Sequence, residues 1–177
     1  MKINQLIKDW PKGTIKTVKE LEESGYTPQL LKSYSNSKWI ELFGRGMYKL
    51  YKDNVDWQGI LYGMQRKSST TLHAGAKTAL TLKGYGHYLS LGESKVYLYS
   101  DMTENFNAWL KKSNQMVLKR NRVFDYSNND YFMRYNTGNF EIIISSPELA
   151  IMEMLYLVPQ DQSFDEALKI MEGLTTL

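Results

Sequence analysis

The chain has 177 residues, a net charge of +3 and no cysteine. Its hydrophobic fraction of 42% and charged fraction of 23% are ordinary for a globular protein, which excludes wholesale disorder. Without cysteine there are no disulfides, thiolate metal sites or cysteine nucleophiles, and a reducing, cytoplasmic compartment is expected. No run of apolar residues is long enough for a membrane span, and the first residues do not resemble a signal peptide.

The charge is distributed unevenly along the chain. Residues 1–52 contain ten lysines and arginines against five acidic residues, a net charge of +5, whereas residues 53–177 carry −2. This asymmetry is expected when one module meets phosphate and the other does not. A basic face that is merely solvated would give the same count.

The first predicted element is a helix. Apolar residues recur at helical spacing from Ile3 to Trp10, which is typical of one buried stripe. Pro11 and Gly13 then end this helix. A short strand is predicted at Thr14 to Lys16.

Two further helices are predicted close together. Thr17 and Glu20 have the spacing of a capping box, which predicts a helix from Val18 to about Ser24. Thr27 followed by Pro28 is a typical N-cap with proline at the first helical position, so a third helix begins almost at once. Two short helices joined this tightly predict a helix-turn-helix.

The period changes to two after the third helix. Alternating residues from Trp39 to Leu42 and from Met47 to Leu50 flank Gly44-Arg45-Gly46, which predicts a β-hairpin with Arg45 at its tip. A hairpin directly after a helix-turn-helix predicts a winged helix whose wing reaches a minor groove. The alternative is an ordinary hairpin tip on which Arg45 is only solvated.

The outward side of the third helix is predicted to enter the major groove of DNA. Its residue types suit base edges and phosphates, although any surface helix also needs a polar side. With the flanking residues and the wing, the candidate DNA contacts are Thr27, Gln29, Lys32, Ser33, Asn36, Lys38, Arg45 and Lys49.

A domain boundary is predicted near Asp53, with a winged helix-turn-helix at 1–52 and a mixed α/β domain at 53–177. The fold class is therefore predicted to be α+β. The second domain should contain a helix capped by Asp56, a strand at Thr70–Leu72, a helix ending at Gly84, strands at Lys95–Tyr99, Met116–Val123, Tyr131–Tyr135 and Phe140–Ile144, and helices capped by Ser146 and Ser163.

Few residues have the types and spacing of a catalytic or metal site. His73 and His87 are fourteen residues apart, too far for two ligands on one helix face, and a capped or surface histidine is expected instead. Asp125, Asp130 and Glu141 could gather as a magnesium site only if strand ends bring them together. We predict no catalytic residue, metal or cofactor; a nucleic-acid-modifying enzyme with a DNA-targeting winged helix is the alternative.

A second basic cluster interrupts the acidic average of residues 53–177. It is a candidate second nucleic-acid surface, or equally a strand edge that lysines protect against pairing with another sheet. Its members are Lys111, Lys112, Lys119, Arg120 and Arg122.

Four stretches together resemble a known family. Thr17 to Tyr34, the hairpin around Arg45, His73 to Leu80 and Ser145 to Ala150 occur in the order and spacing of the AbiEi antitoxins of type IV toxin–antitoxin systems. The chain resembles the branch with a short N-terminal winged helix. Because members of this family usually continue further, the resemblance implies a second domain truncated at its C-terminus.

The resemblance implies two activities in a bacterial abortive-infection system. Such antitoxins repress their own operon by binding inverted repeats of double-stranded DNA in its promoter. They also counter a nucleotidyltransferase-like toxin without a stable complex. We therefore expect a monomer or weak dimer on DNA and no membrane partner; the residues by themselves support only DNA binding.

Overall fold

A computed structural model describes residues 2–67, 70–85, 95–101, 115–120 and 123–174. The chain divides into two compact units. The first unit comprises Met1–Thr70 with Asn136–Ile142, and the second comprises Thr71–Tyr135 with Ile143–Leu177.

The first unit has the element order of a winged helix. Three helices and a three-stranded antiparallel sheet of order β1-β3-β2 are followed by a fourth helix. The elements are α1 (Lys2–Lys8), β1 (Ile15–Thr17), α2 (Val18–Glu23), α3 (Pro28–Asn36), β2 (Ile40–Gly44), β3 (Met47–Leu50) and α4 (Trp57–Gln65).

The core of this unit lies between the first three helices and one face of the sheet. The stripe that predicted the first helix is buried, since Ile3, Leu6 and Trp10 are at most 4% exposed. They cluster with Leu21, Leu31 and Ile40. Burying one large apolar side chain is worth about 1.5–3 kcal/mol, so this cluster fixes the helices on the sheet.

The helix-turn-helix forms where the caps predicted it. The Thr17 hydroxyl accepts a hydrogen bond from the Glu20 amide at 3.1 Å, and the Thr27 hydroxyl accepts one from the Leu30 amide at 3.3 Å. Gly25 between the two helices has a φ of +83°, a left-handed conformation that favours glycine. The prediction of two helices joined by a tight turn is confirmed.

The strand register assigns each residue to a face of the sheet. Opposite residues of an antiparallel pair point to the same side, and successive residues alternate. Ile40 pairs with Leu50 and Leu42 with Tyr48, which places these residues on the sheet face that packs against α1, α2 and α3. Ile15 pairs with Lys49, and this pair lies on the opposite face.

The opposite face is approached by α4 through two glycines. A Cβ on Gly59 would lie 1.7 Å from the Gly13 carbonyl oxygen, and one on Gly63 would lie 2.4 Å from that of Ile15. The Gly13 amide also donates to the Asp53 carboxylate at 2.6 Å. Because of these contacts the compact unit includes α4 and does not stop near Asp53. Where the DNA-binding function ends stays a prediction.

The second unit contains most of a five-stranded mixed sheet of order β6-β5-β4-β8-β7. β4 is antiparallel to β5 and parallel to β8, while β5 and β6 are parallel. The elements are β4 (His73–Ala74), α5 (Ala76–Leu82), β5 (Val96–Ser100), β6 (Met116–Arg120), β7 (Phe132–Asn136), β8 (Glu141–Ser145), α6 (Pro147–Tyr156) and α7 (Phe164–Glu172), with a short 3-10 helix at Asn129–Tyr131.

Most of the predicted elements of this unit are confirmed, and the mixed α/β prediction with them. The Ser146 and Ser163 hydroxyls accept from the Leu149 and Glu166 amides, so both predicted caps start their helices. The strand predicted at Thr70–Leu72 is wrong, because the pairing with β5 begins only at His73. Within the described ranges, no helix is long and apolar enough to cross a membrane.

Candidate nucleic-acid interface

The outward side of α3 is polar and exposed. Gln29, Lys32, Ser33 and Asn36 are all exposed, whereas Leu31 on the other side of the helix is 1% exposed. The structure therefore brings these four candidates together on one helix face. The buried side of the same helix holds it against the sheet.

Two further candidates stand at the ends of this helix. Thr27 is exposed, and its hydroxyl already serves as the N-cap. Lys38 is exposed and has a φ of +57°, which turns the chain from α3 into β2. These two candidates therefore flank α3 at its start and just after its end.

The wing is a β-hairpin with Arg45 and Gly46 at its turn. Arg45 is exposed. Gly46 has a φ of +76°, whereas Gly44 belongs to β2 and pairs with Met47 across an irregularity in the register. Of these two glycines, Gly46 supplies the left-handed conformation that the turn requires.

Sequence reasoning gave no role to Leu42, an apolar residue near the wing tip. Leu42 is 62% exposed, although it lies on the same face of the sheet as the buried Ile40. The sheet thus extends beyond the edge of the core at this end. The alternation of apolar residues in β2 shows which face of the strand Leu42 lies on. It does not show whether the core reaches as far as Leu42.

Lys49 does not lie with the other candidates. Its side chain is on the sheet face opposite α3, where its Nζ is 3.0 Å from a carboxylate oxygen of Glu41. Nζ also donates to the Asp53 carbonyl oxygen at 2.7 Å. The hydrogen bond from Lys49 lowers the pKa of Glu41 below its ordinary value. Lys49 therefore links β2, β3 and the start of the next segment.

Only two members of the second basic cluster are among the described residues. Lys119 forms an ion pair with Asp161, and Arg120 is the last residue of β6. Lys111, Lys112 and Arg122, like His87, lie outside the described residues. A second nucleic-acid surface stays a prediction.

The second unit contains a buried polar centre that the sequence did not predict. His73 and Glu153 are both fully buried, with His73 Nε2 2.8 Å from Glu153 Oε1. The expectation of a capped or surface His73 is wrong, because β4 lies inside the sheet between β5 and β8. The one signal in the sequence was a glutamate within the otherwise apolar stretch from Leu149 to Leu157.

The chain approaches Glu153 closely at Gly75 and Ala76. A Cβ on Gly75 would lie 2.2 Å from Glu153 Oε2, so only glycine fits there. The Ala76 amide donates to Oε2 at 2.9 Å, and Ala76 has a φ of +47°, which is strained for an alanine. The centre is fully buried, and the described residues contain no group of acidic or histidine side chains arranged to hold a metal.

Comparisons with known proteins agree with this architecture. Among solved structures, the RV2827C protein from Mycobacterium tuberculosis matches with a TM-score of 0.56 at 9% identity, over 86% of this chain and 58% of that one. This likeness concerns the fold, and this chain spans little more than half the length of that protein. A search of curated proteins found no match.

Two family models cover the chain. The model of the AbiEi antitoxin N-terminal domain of transcriptional regulators matches residues 1–91. The model of the AbiEi antitoxin transcriptional regulators of type IV toxin–antitoxin systems matches residues 93–177. The chain therefore belongs to the AbiEi antitoxin family of transcriptional regulators.

Proposed function

We propose that the first unit binds double-stranded DNA with α3 in the major groove and the Arg45 wing in the adjacent minor groove. The observation that carries this proposal is the exposed polar side of α3 next to a hairpin whose turn exposes an arginine. In a helix-turn-helix the second helix is the one that enters the groove.

The proposed interface excludes Lys49 and includes Leu42. Gln29 and Asn36 have the amide groups that pair with adenine, and Lys32 with Lys38 supplies charge for phosphates. Leu42 lies near the wing tip on the sheet face that packs against α1, α2 and α3. There it offers an apolar contact to a sugar or a thymine methyl group.

The regulatory role follows from DNA binding and family membership together. We infer that the chain binds inverted repeats in the promoter of its own operon and represses it. Two separated half-sites would each bind one molecule, either as independent monomers or as a dimer that forms weakly on the DNA. The net charge of +5 in residues 1–52 supports phosphate binding by this end of the chain.

For the second unit, the proposed role is to counter a nucleotidyltransferase-like toxin without forming a stable complex with it. Membership in a family of type IV antitoxins supports this role. The role is non-catalytic and needs no cofactor, and the proposed compartment is the bacterial cytoplasm. The closed, fully buried centre at Glu153 supports a structural rather than an enzymatic use of these polar residues.

The DNA-binding proposal is tested by titrating a fluorescent promoter fragment with the full chain at several salt concentrations. Lys32→Ala should weaken binding to all sequences and reduce the slope of log affinity against log salt by about one. Lys19→Ala is the matched control, since Lys19 is a 77% exposed lysine on α2. Equal effects of the two substitutions would contradict the placement of α3.

The wing is tested in the same titration. Arg45→Ala should weaken binding by about 1–3 kcal/mol if the guanidinium reads a groove, and by less if it meets one phosphate. The melting temperature should stay unchanged, because Arg45 lies at an exposed turn outside the core. An unchanged affinity would remove the wing from the interface.

A further inference from the structure

The carboxylate of Glu153 is surrounded by hydrogen-bond donors. Oε1 is 2.8 Å from His73 Nε2 and 3.2 Å from the Tyr126 hydroxyl. Oε2 accepts from the Ala76 amide at 2.9 Å and from the Ser145 hydroxyl at 2.8 Å. A carboxylate offers about four lone-pair sites, so four donors saturate it.

The other ring nitrogen of His73 also faces an acceptor. Nδ1 is 2.6 Å from the Thr71 carbonyl oxygen, which has no proton to give. Nδ1 must therefore carry a proton. Since Nε2 faces a carboxylate oxygen, a proton must also lie between Nε2 and Glu153 Oε1 for this contact to be attractive.

The surroundings favour that proton on the histidine. A main-chain amide can only donate, and donors directed at a carboxylate stabilise its charged form. Oε1 also accepts from Tyr126, whereas a protonated carboxyl oxygen is a weaker acceptor than a charged one. We propose that this proton lies on Nε2, so that His73 is an imidazolium and forms a buried ion pair with the Glu153 carboxylate at the centre of the second unit.

Aromatic rings from several segments surround this pair. The rings of Tyr126 and Phe132 meet the imidazole edge-on at 4.8 Å between centroids, and the ring of Tyr99 stacks at 6.0 Å. The Tyr99 hydroxyl donates to the Glu153 carbonyl oxygen at 3.2 Å. Burial, and next the charge of Glu153, raise the pKa of Tyr99, so this phenol stays neutral beside the pair.

The pair links segments that are far apart in the sequence. It connects β4 and the start of α5 with the loop at Tyr126, the end of β8 and the middle of α6. His73 and Glu153 are eighty positions apart. The hydrogen bonds of this pair thus join these segments around Glu153.

Nitrogen-15 NMR of the full chain at neutral pH tests the proposal directly. The chain has only two histidines, so His87→Gln assigns the remaining ring signals to His73. Both His73 nitrogens should show attached protons and the chemical shifts of an imidazolium. An Nε2 signal in the range of an unprotonated nitrogen would place the proton on Glu153 and overturn the ion pair.

A variant gives a second, independent readout. Glu153→Gln removes the negative charge with little change in shape, so His73 should become a neutral ring that keeps its proton on Nδ1. If this variant does not fold, the measurement on the native chain still decides. A folded variant in which both ring nitrogens stay protonated would show that Glu153 is not what holds the charge on His73.

Discussion

The two units use polar residues in opposite ways. In the first unit an apolar core of helices and sheet leaves the charged and amide side chains of α3 exposed, where they can meet DNA. In the second unit the notable polar residues, His73, Ser145 and Glu153, are fully buried and satisfy one another. An exposed polar residue on a supported helix is available to bind a partner, whereas a buried one whose hydrogen bonds are complete inside a core serves the architecture.

The largest effect should come from breaking the buried centre. Glu153→Ala removes the acceptor of four buried donors together with the partner of His73, which should cost about 3–5 kcal/mol of unfolding free energy. Chemical denaturation of the full chain measures it. Glu172→Gln, at an exposed position of α7, is the control and should cost less than about 0.5 kcal/mol. Similar losses in both variants would contradict a special role for the centre.

A smaller loss of unfolding free energy should follow from adding a side chain where α4 packs closely on the first unit. A Cβ at position 59 would lie 1.7 Å from the Gly13 carbonyl oxygen, so Gly59→Ala must push the helix from the sheet. Such overpacking costs about 1–3 kcal/mol.

The control for this substitution is Gly84→Ala. Among the described residues, no atom lies within 4 Å of a Cβ at Gly84, and its φ of +88° opposes the alanine, at roughly 1–2 kcal/mol. Thermal melting of the two variants compares packing with backbone strain. If Gly59→Ala had no effect, α4 would not belong to the packed unit.

The smallest effect concerns the ion pair of Lys49 with Glu41 and depends on pH. The hydrogen bond from Lys49 lowers the pKa of Glu41 in the folded chain below its ordinary value of 4.5. A carboxyl whose folded pKa is depressed contributes stability above its unfolded pKa, and that contribution is lost as pH falls through the folded pKa. Lys49→Met should therefore lose less stability than the wild type on acidification below 4.5.

The same variant separates two roles of Lys49. Its effect near neutral pH should stay below about 1 kcal/mol, as for other partly exposed ion pairs. The salt dependence of DNA binding should not change, since Lys49 lies on the sheet face opposite α3. A reduced salt slope would return Lys49 to the interface.

Local signals in the sequence determined much of the first unit. The stripe from Ile3 to Trp10, the caps at Thr17 and Thr27, and the hairpin around Arg45 each depend on residues within about ten positions of one another. The exposed candidates on α3 followed from the same periodicity. Helical period and capping could not show that Lys49 faces away from α3, because the face of a strand residue depends on its register with a neighbour.

The surroundings of His73 and Glu153 depend on contacts between distant parts of the chain. The sequence showed a histidine near a glycine and a glutamate within an apolar helix, eighty positions apart. Neither has a local signal for its partner, because their contact depends on how β4 enters the sheet beside β8 and on where α6 packs. Capping and periodicity act over a few residues, so they predicted the elements and the fold class. A buried pair is formed by the packing of distant segments, and these local patterns therefore could not predict the centre.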